Sequence, residues 1–219
     1  MYIVPAEKRL ITHLSFDGAT GVQGSNGIWV ANNRVTVVSG PQCKHGNCAH
    51  FNNTVLEIPY FVNNYDHFKQ FSISYFYNLC GGPFNQGLVI NNMCGTNPTD
   101  KCSIYLSSPA PDMLKAHLKS SGHVLAEASY MTANDCSWHH VVMSWDGKSM
   151  RVYVDAHLRA NKPFTGPIAN TKCPMIIGNM ICPSGSCHFE GLMDEISFYK
   201  SALTLKEVKT IKKFPGTTY

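Results

Sequence analysis

The chain has 219 residues, of which 44% are hydrophobic and 15% are charged, and this balance excludes an intrinsically disordered protein. The formal charge of +4 comes from scattered lysines and arginines, which excludes the clustered basic surface of a nucleic-acid-binding protein. No apolar run reaches transmembrane length, so no membrane insertion is expected.

Short segments rich in β-branched and aromatic residues, separated by Gly, Pro, Asn and Asp, predict a succession of strands. A glycine- and asparagine-rich loop over residues 18–33 follows the first strand, and residues 43–48 form a second, tight loop. Residues 109–121 favour neither a helix nor a strand. The predicted strands cover residues 11–16, 34–39, 51–58, 71–77, 88–91, 103–106, 123–128, 139–145, 150–154, 174–177 and 191–199.

The clearest strand pair is a hairpin around the Asp-Gly turn at positions 146 and 147. In its second strand the apolar residues at 150, 152 and 154 alternate with Arg151 and Tyr153, which is typical of a half-buried strand. Arg151 and Tyr153 are therefore predicted on the outer face. A cation beside an aromatic ring there is a candidate platform for a sugar or a sulfate group, and a plain solvated face is the alternative.

The one predicted helix lies near the C-terminus. Thr204 and Glu207 form a capping-box pattern ahead of residues 205–213, and Pro215-Gly216 ends the segment. Ten to thirteen short strands with one C-terminal helix predict an all-β fold, a two-sheet antiparallel jelly-roll sandwich. No linker divides the chain, so residues 1–219 are interpreted as a single domain and as one module of a longer extracellular protein.

Several segments resemble the laminin G-like, concanavalin A-like jelly-roll family, in its pentraxin-related branch. In chain order they are ITHLSFDG, NNTVLEIPYF, FSISYFYN, WHHVVMSWDGKSMRVYVD, IIGN and FEGLMDEISFYKSALTLKEV. The resemblance covers about residues 10–210. One position departs from it, because Ala156 follows Asp155 where the family usually has glycine. The resemblance implies that strand 11–16 lies beside strand 191–199.

The resemblance also bounds the function, because this sandwich carries lectins, receptors, matrix modules and glycan hydrolases. Hydrolysis needs two carboxylates facing one cleft, whereas the adjacent Asp194 and Glu195 would face opposite ways on a strand. We therefore expect no enzyme, but a secreted module, or part of a membrane protein's ectodomain, that recognises a glycan, a glycosaminoglycan or an extracellular protein. A structural module of a cuticle, shell or basement membrane is the alternative, and a glycan hydrolase comes third.

Nine cysteines in such a chain favour an oxidising compartment. The cluster CKHGNCAH, with two Cys and two His, is also a candidate zinc site, but it lacks a second ligand pair at a typical distance. Close spacing instead predicts three disulfide loops, namely Cys43–Cys48, Cys94–Cys102 and Cys182–Cys187.

A further disulfide is implied by the resemblance. The family's cross-strand disulfide matches Ser74 with Val142, and the same register places Cys80 opposite Cys136. Cys173 is then the odd thiol, either buried or available for an intermolecular disulfide.

A structural calcium ion (Ca²⁺) held by Asp17 and Asp194 is predicted as well. Asp194 shares one strand face with apolar residues at 192, 196 and 198, so it is expected on the core side, where a carboxylate needs donors, a cation or a proton. Two carboxylates with backbone carbonyls are the oxygen ligands that calcium takes, and the resemblance supports the site. In the alternative, Asp194 accepts hydrogen bonds from N–H groups of the 18–33 loop and no metal is bound.

The sequence Asn52-Asn53-Thr54 is the one usable N-glycosylation sequon. It predicts a glycan on Asn52, with an ordinary polar strand start as the alternative.

Overall fold

The computed structural model describes residues 10–18, 22–63, 69–81, 85–91, 103–110, 112–120, 123–131, 135–165, 168–169, 171–182 and 185–215. Within these residues the chain forms two large antiparallel sheets, a small two-stranded hairpin and two α-helices. The all-β jelly-roll sandwich predicted from the sequence is confirmed. Among the described residues, no helix combines the length and apolar character needed to cross a membrane.

The first sheet has eight strands and contains the hairpin predicted around the Asp-Gly turn. Its members are β1 (Leu10–Leu14), β3 (Thr36–Ser39), β4 (Asn47–Phe51), β6 (Phe71–Asn78), β11 (Trp138–Trp145), β12 (Ser149–Val154), β13 (His157–Pro163) and β17 (Gly191–Tyr199). The strand order is β13-β12-β11-β6-β17-β4-β3. β1 also pairs with β17, so the predicted neighbourhood of the first and last strands is confirmed.

The second sheet has seven strands, in the order β10-β9-β8-β7-β14-β5-β2. Their bounds are β2 (Ala31–Asn33), β5 (Val55–Ile58), β7 (Gln86–Ile90), β8 (Ile104–Ala110), β9 (Met113–Ser120), β10 (His123–Met131) and β14 (Met175–Ile177). β9 occupies most of the segment that the sequence leaves undecided, and β2 lies inside the predicted 18–33 loop. A separate hairpin, β15 (Asn179–Cys182) with β16 (Gly185–His188), packs Met180 and Cys187 against the outer face of this sheet.

The core fills the space between the two sheets. On β6 the buried apolar residues Ile73, Tyr75 and Tyr77 face it, and on β12 the side chains of Met150, Val152 and Val154 do the same. This confirms the period-two pattern read from the central hairpin. Ser74 lies opposite Val142 across β6 and β11, so the register implied by the family is also confirmed.

The described residues form two α-helices, and the first contributes Phe61 to the core. α1 (Tyr60–Asn63) is a single turn, and α2 (Leu205–Lys213) begins at the predicted capping box of Thr204 and Glu207. α2 packs Val208 and Ile211 against the outer face of the first sheet.

The docking of α2 corrects the ligand platform predicted at Arg151 and Tyr153. Tyr153 does point away from the core, but it packs with Val142 and α2 and is only 4% exposed. Arg151 forms an ion pair with Asp146 across the hairpin, with 2.7 Å between Nη1 and Oδ2. The strand alternation gives the correct face, but a second element covers that face, so the platform prediction is wrong.

The turn from β12 to β13 shows how the chain manages without the family's glycine. Asp155 and Ala156 both have positive φ, at 53° and 61°. Two successive left-handed residues match the twist of a two-residue hairpin turn. Asp155 can occupy this turn because its carboxylate accepts from the backbone N–H of His140 at 3.2 Å.

Candidate functional site

Four outward-facing side chains form a row across one end of the first sheet. The register places His50 opposite Leu192, Leu192 opposite Asn78, and Asn78 opposite Trp138. Their chain neighbours Ala49, Met193 and Tyr77 belong to the core, so the four residues of the row face outward. Residues from four separate parts of the sequence therefore lie side by side at the rim of the sandwich.

A groove of about 390 Å³ lies along this row, and we call it the rim groove. Its size is within the range of small-molecule sites. The lining combines imidazole, amide and carboxylate groups with apolar side chains. The lining residues are His50, Phe51, Asn52, Asn78, Cys80, Glu190, Gly191 and Leu192.

The loop closed by the Cys43–Cys48 disulfide, which we call the disulfide loop, packs on the sheet beside Trp138. The Trp138 indole Nε1–H donates to the Gln42 carbonyl at 2.9 Å. The Lys44 ammonium lies 5.5 Å from the centre of the Phe76 ring, which is one row further along the outer face. The disulfide loop thus covers the outer face of the sheet next to Trp138.

Asp194 anchors the disulfide loop to β17. Its side chain is 0% exposed, and its two oxygens accept from the backbone N–H groups of His45 at 2.9 Å and Glu195 at 2.8 Å. Burial raises the pKa of Asp194 to about 8; the two backbone hydrogen bonds oppose the rise, and the charges of Glu195 and Asp17 add to it.

Asp17 binds the same loop from the other side. Its carboxylate accepts from the Asn47 backbone N–H at 2.7 Å. Gly46 has a φ of 45°, and a β-carbon at this position would collide with the Asp17 carboxylate. The two aspartates predicted as a metal pair are therefore close in the fold, and both act as acceptors for loop N–H groups.

The expected core-side position of Asp194 is wrong. The pairing of β17 with β6 shifts by one residue between Asp194 and Ser197, and Glu195 at this bulge has a φ of 54°. A bulge changes which residues face which side. Met193 and Ile196 enter the core, whereas Asp194 points outward and is buried beneath the disulfide loop.

The alternative that Asp194 accepts backbone N–H bonds matches the observed contacts in kind, although the donor segment is the disulfide loop rather than residues 18–33. Among the described residues, no group of three or more His, Cys, Asp or Glu side chains is placed to hold a metal ion. A calcium ion would therefore need backbone carbonyls beside Asp17 and Asp194. Calcium binding stays a prediction.

Glu195 is engaged separately. It is 5% exposed, and its Oε2 lies 2.9 Å from His13 Nε2. The other ring nitrogen of His13 lies 2.8 Å from Ser197 Oγ. These contacts of His13 connect β1 to β17, a few residues before Asp17 in the chain.

The cysteine predictions have mixed outcomes. The bridges Cys43–Cys48 and Cys80–Cys136 are present, which also removes the zinc alternative at CKHGNCAH. Cys173 is disulfide-bonded and 1% exposed, so the prediction of a free thiol available for an intermolecular bond is wrong.

A second buried cysteine, Cys187, is also disulfide-bonded. Because Cys173 takes a partner, the predicted pairs Cys94–Cys102 and Cys182–Cys187 cannot both form. Cys94, Cys102 and the side chain of Cys182 lie outside the described residues.

Asn52, the predicted glycosylation site, lies in an exposed turn between β4 and β5 and lines the rim groove. Its backbone N–H donates to Thr54 Oγ1 at 3.2 Å, and Asn53 has a φ of 55°. The turn presents the Asn52 side chain to solvent at the open end of the groove. Glycosylation itself stays a prediction.

A second cleft was not predicted from the sequence. Trp29 is 69% exposed, and a cavity of about 360 Å³ lies beside it. Among the described residues, the lining contains no charged side chain; its residues are Val22, Gln23, Gly24, Gly27, Ile28, Trp29 and Val30. We call it the Trp29 cleft. A tryptophan in a Gly/Asn-rich loop was the only sequence signal for it.

A family model described as the concanavalin A-like lectin/glucanases superfamily, of the laminin G type, matches residues 52–209. The chain belongs to this superfamily. The matched segment includes β5 to β17 and most of α2. It contains the rim-groove residues from Asn52 onward, whereas His50 and Phe51 precede it. A search of curated proteins finds no match.

Solved structures with the same fold come from proteins of low sequence identity. The receptor-binding domain of botulinum neurotoxin type G superposes with a TM-score of 0.70 at 11% identity, over 94% of this chain and 51% of that domain. The binding domain of botulinum neurotoxin DC in complex with rat synaptotagmin II gives 0.68 at 10% identity, over 95% and 52%. The chain thus spans about half the length of these neurotoxin domains.

A third structure matches over nearly its full length. It is domain 4 of AbnA, a GH43 extracellular arabinanase from Geobacillus stearothermophilus, in complex with arabinotriose. The TM-score is 0.68 at 19% identity, over 93% of this chain and 98% of that domain. At these identities the structural matches show the shared fold.

Proposed function

We propose that the protein is a non-catalytic extracellular recognition module that binds a glycan in the rim groove. The observation that carries the proposal is the row of His50, Leu192 and Asn78, which rigid strands hold side by side along a groove of about 390 Å³. A sugar presents hydroxyl groups and apolar C–H faces. The amide of Asn78 and the imidazole of His50 can form hydrogen bonds with the hydroxyls, and Leu192 offers an apolar contact to the C–H faces.

The charge of the rim groove selects among glycans. Glu190 is exposed in the lining, and Lys44 of the neighbouring loop is directed to the Phe76 ring. A carboxylate repels sulfate and carboxylate groups of a ligand. We therefore propose a neutral oligosaccharide rather than a sulfated glycosaminoglycan.

The composition of the same lining supports the proposal of binding without hydrolysis. Glycoside hydrolysis uses a pair of carboxylates across the scissile bond. Among the described residues that line the rim groove, Glu190 supplies one carboxylate, while Asp17 and Asp194 are engaged by the disulfide loop. The arabinanase domain in complex with arabinotriose supports an oligosaccharide ligand on this fold.

A protein partner is the second candidate, and Trp29 favours it. An exposed tryptophan beside an uncharged cleft has the composition of an interface hot spot. The neurotoxin domain in complex with synaptotagmin supports protein recognition on this fold. The matrix-assembly alternative has no such support, because the cysteine expected to link chains is already disulfide-bonded.

We also propose a structural calcium ion at Asp17 and Asp194. It would relieve the repulsion between the two carboxylates and hold the disulfide loop against the sheet, with backbone carbonyls completing its ligands. Elemental analysis of protein purified without chelator tests this. About one calcium per chain supports the site, and well under one per chain rejects it.

A glycan array read with and without a chelator tests the proposed function. We expect neutral oligosaccharide hits that weaken at least tenfold in His50→Ala and Glu190→Gln and survive in Trp29→Ala. Loss of binding in Trp29→Ala alone would move the site to the Trp29 cleft. An array without hits, together with capture of a protein partner that needs Trp29, would replace the glycan proposal with the protein one.

A further inference from the structure

The glycosylation sequon and the rim groove coincide. Asn52 is one of the residues that line the groove, next to His50 on β4 and across from the β17 side of the lining. A glycan attached there would begin inside the site that is proposed to bind glycans. This inference rests on the proposed function and concerns the regulation of the same groove.

The turn geometry allows attachment. Asn52 is exposed, whereas its chain neighbour Phe51 is buried in the core. In N-glycosylation the Asn52 Nδ2 forms a bond to the anomeric carbon of a lipid-pyrophosphate-linked oligosaccharide. The bond from that carbon to the pyrophosphate oxygen breaks, the lipid pyrophosphate leaves, and the amide gives up one proton.

Attachment would give the glycan a large advantage over a free ligand. A group tethered by a short flexible link has an effective concentration of roughly millimolar in its own site. A free oligosaccharide must then compete with the attached one for His50, Asn78 and Glu190. At an effective concentration of roughly 1 mM, an attached glycan with an intrinsic Kd of about 0.1 mM would weaken the binding of a free oligosaccharide about tenfold.

We propose that N-glycosylation of Asn52 closes the rim groove, so that the glycosylated protein is the non-binding form and the unmodified protein is the binding form. The choice between the two forms is made during secretion, before the module meets any ligand. A population with partial occupancy would contain both.

The test compares secreted protein from a glycosylating cell line with matched sequon variants. Thr54→Ala removes the sequon and keeps Asn52, while Thr54→Ser keeps both the sequon and a hydroxyl that accepts from the Asn52 N–H. Mass spectrometry of the peptide containing Asn52 measures occupancy, and titration with the best neutral hit of the array measures affinity. Thermal melting verifies that each variant is folded.

We expect the glycosylated wild type and Thr54→Ser to bind at least tenfold more weakly than Thr54→Ala. An unoccupied Asn52 in the secreted protein would overturn the inference, and so would affinities within twofold of each other. If Thr54→Ala binds no glycan, the proposed function fails. Hydrogen exchange then tests separately whether the attached glycan occupies the rim groove. Slower exchange at residues 190–192 in the glycosylated form would support closure of the groove, and equal exchange would reject it.

Discussion

The buried carboxylate of Asp194 accepts a hydrogen bond of 2.9 Å from the backbone N–H of His45. This contact joins the last strand of the first sheet to the disulfide loop beside the rim groove. Asp17 holds the same loop through Asn47. Two aspartates therefore hold the disulfide loop in place on the first sheet.

Asp194→Ala should lower the free energy of unfolding by about 2–6 kcal/mol. The substitution leaves the part-buried N–H of His45 and the buried N–H of Glu195 without their acceptor, and each unsatisfied group costs about 1–3 kcal/mol. Urea denaturation measures the loss. Asp112→Ala, at an exposed turn, is the control and should change stability by less than about 0.5 kcal/mol. Equal effects of the two variants would contradict the anchoring role of Asp194.

The pKa of Asp194 predicts a pH dependence with a definite sign. Because burial raises its pKa from 3.8 to about 8, the folded state binds a proton that the unfolded state has already released. Without calcium, stability should therefore fall as the pH rises from about 4 to about 8. In Asp194→Asn this part of the pH dependence should disappear. The difference between the variant and the wild type therefore isolates the titration of Asp194 from that of other groups.

Calcium should reverse that behaviour, because a cation binds the ionised form. We expect the increase in melting temperature on adding calcium to be larger at pH 8.5 than at pH 5.5. Melting curves with added calcium and with chelator at both pH values measure it. A melting temperature that does not change with calcium at either pH would reject the calcium site. Backbone hydrogen bonds to Asp17 and Asp194 would then be what holds the disulfide loop.

The Cys80–Cys136 bridge spans 56 positions and connects the ends of β6 and β11. In the chain-entropy estimate it stabilises by roughly 4 kcal/mol, compared with roughly 2 kcal/mol for the short Cys43–Cys48 loop. In chemical denaturation, the double variant Cys80→Ala with Cys136→Ala should therefore be less stable than the double variant Cys43→Ala with Cys48→Ala. The opposite order would contradict the loop-length explanation.

A polar cluster around Asp155 anchors α2. Its Oδ2 lies 2.8 Å from His139 Nδ1, and its Oδ1 lies 3.2 Å from Lys212 Nζ. Burial alone would raise the pKa of Asp155, but the hydrogen bonds from His139, the His140 N–H and Lys212 outweigh it and hold the pKa below the usual range. The hydrogen bond to Asp155 raises the pKa of His139.

These shifts predict when the cluster stabilises the fold. The Asp155 contribution is present above pH 3.8 and is lost as the pH falls below it, whereas the His139 contribution is present below pH 6.5 and is lost as the pH rises through the raised pKa. Asp155→Asn should therefore destabilise most between about pH 4 and pH 6.5, by about 1–3 kcal/mol. Denaturation at pH 3, 5.5 and 9 measures the window, and a constant difference across all three would contradict it.

The fold was predictable because period-two alternation and turn residues recur along the whole chain. The Cys80–Cys136 bridge followed from one register, which the pairing of Ser74 with Val142 confirms. The face of Asp194 was not predictable in the same way, because the bulge at Glu195 carries no glycine to mark it. Strand alternation also cannot show that α2 covers Tyr153.

The rim groove was the least predictable feature. Its lining depends on the lateral alignment of His50, Asn78 and Leu192, which lie far apart in the sequence. No local motif records that alignment. It becomes visible only when the registers of three strands are known together.

The most direct test of the central claim is an NMR titration of isotopically labelled protein without the Asn52 glycan, using the strongest neutral oligosaccharide from the array. Glycan recognition in the rim groove predicts saturating shift changes at residues 50–52, 78 and 190–192, with the amides of residues 22–30 unchanged. Saturating changes confined to residues 22–30 around Trp29, with the rim groove silent, would contradict it.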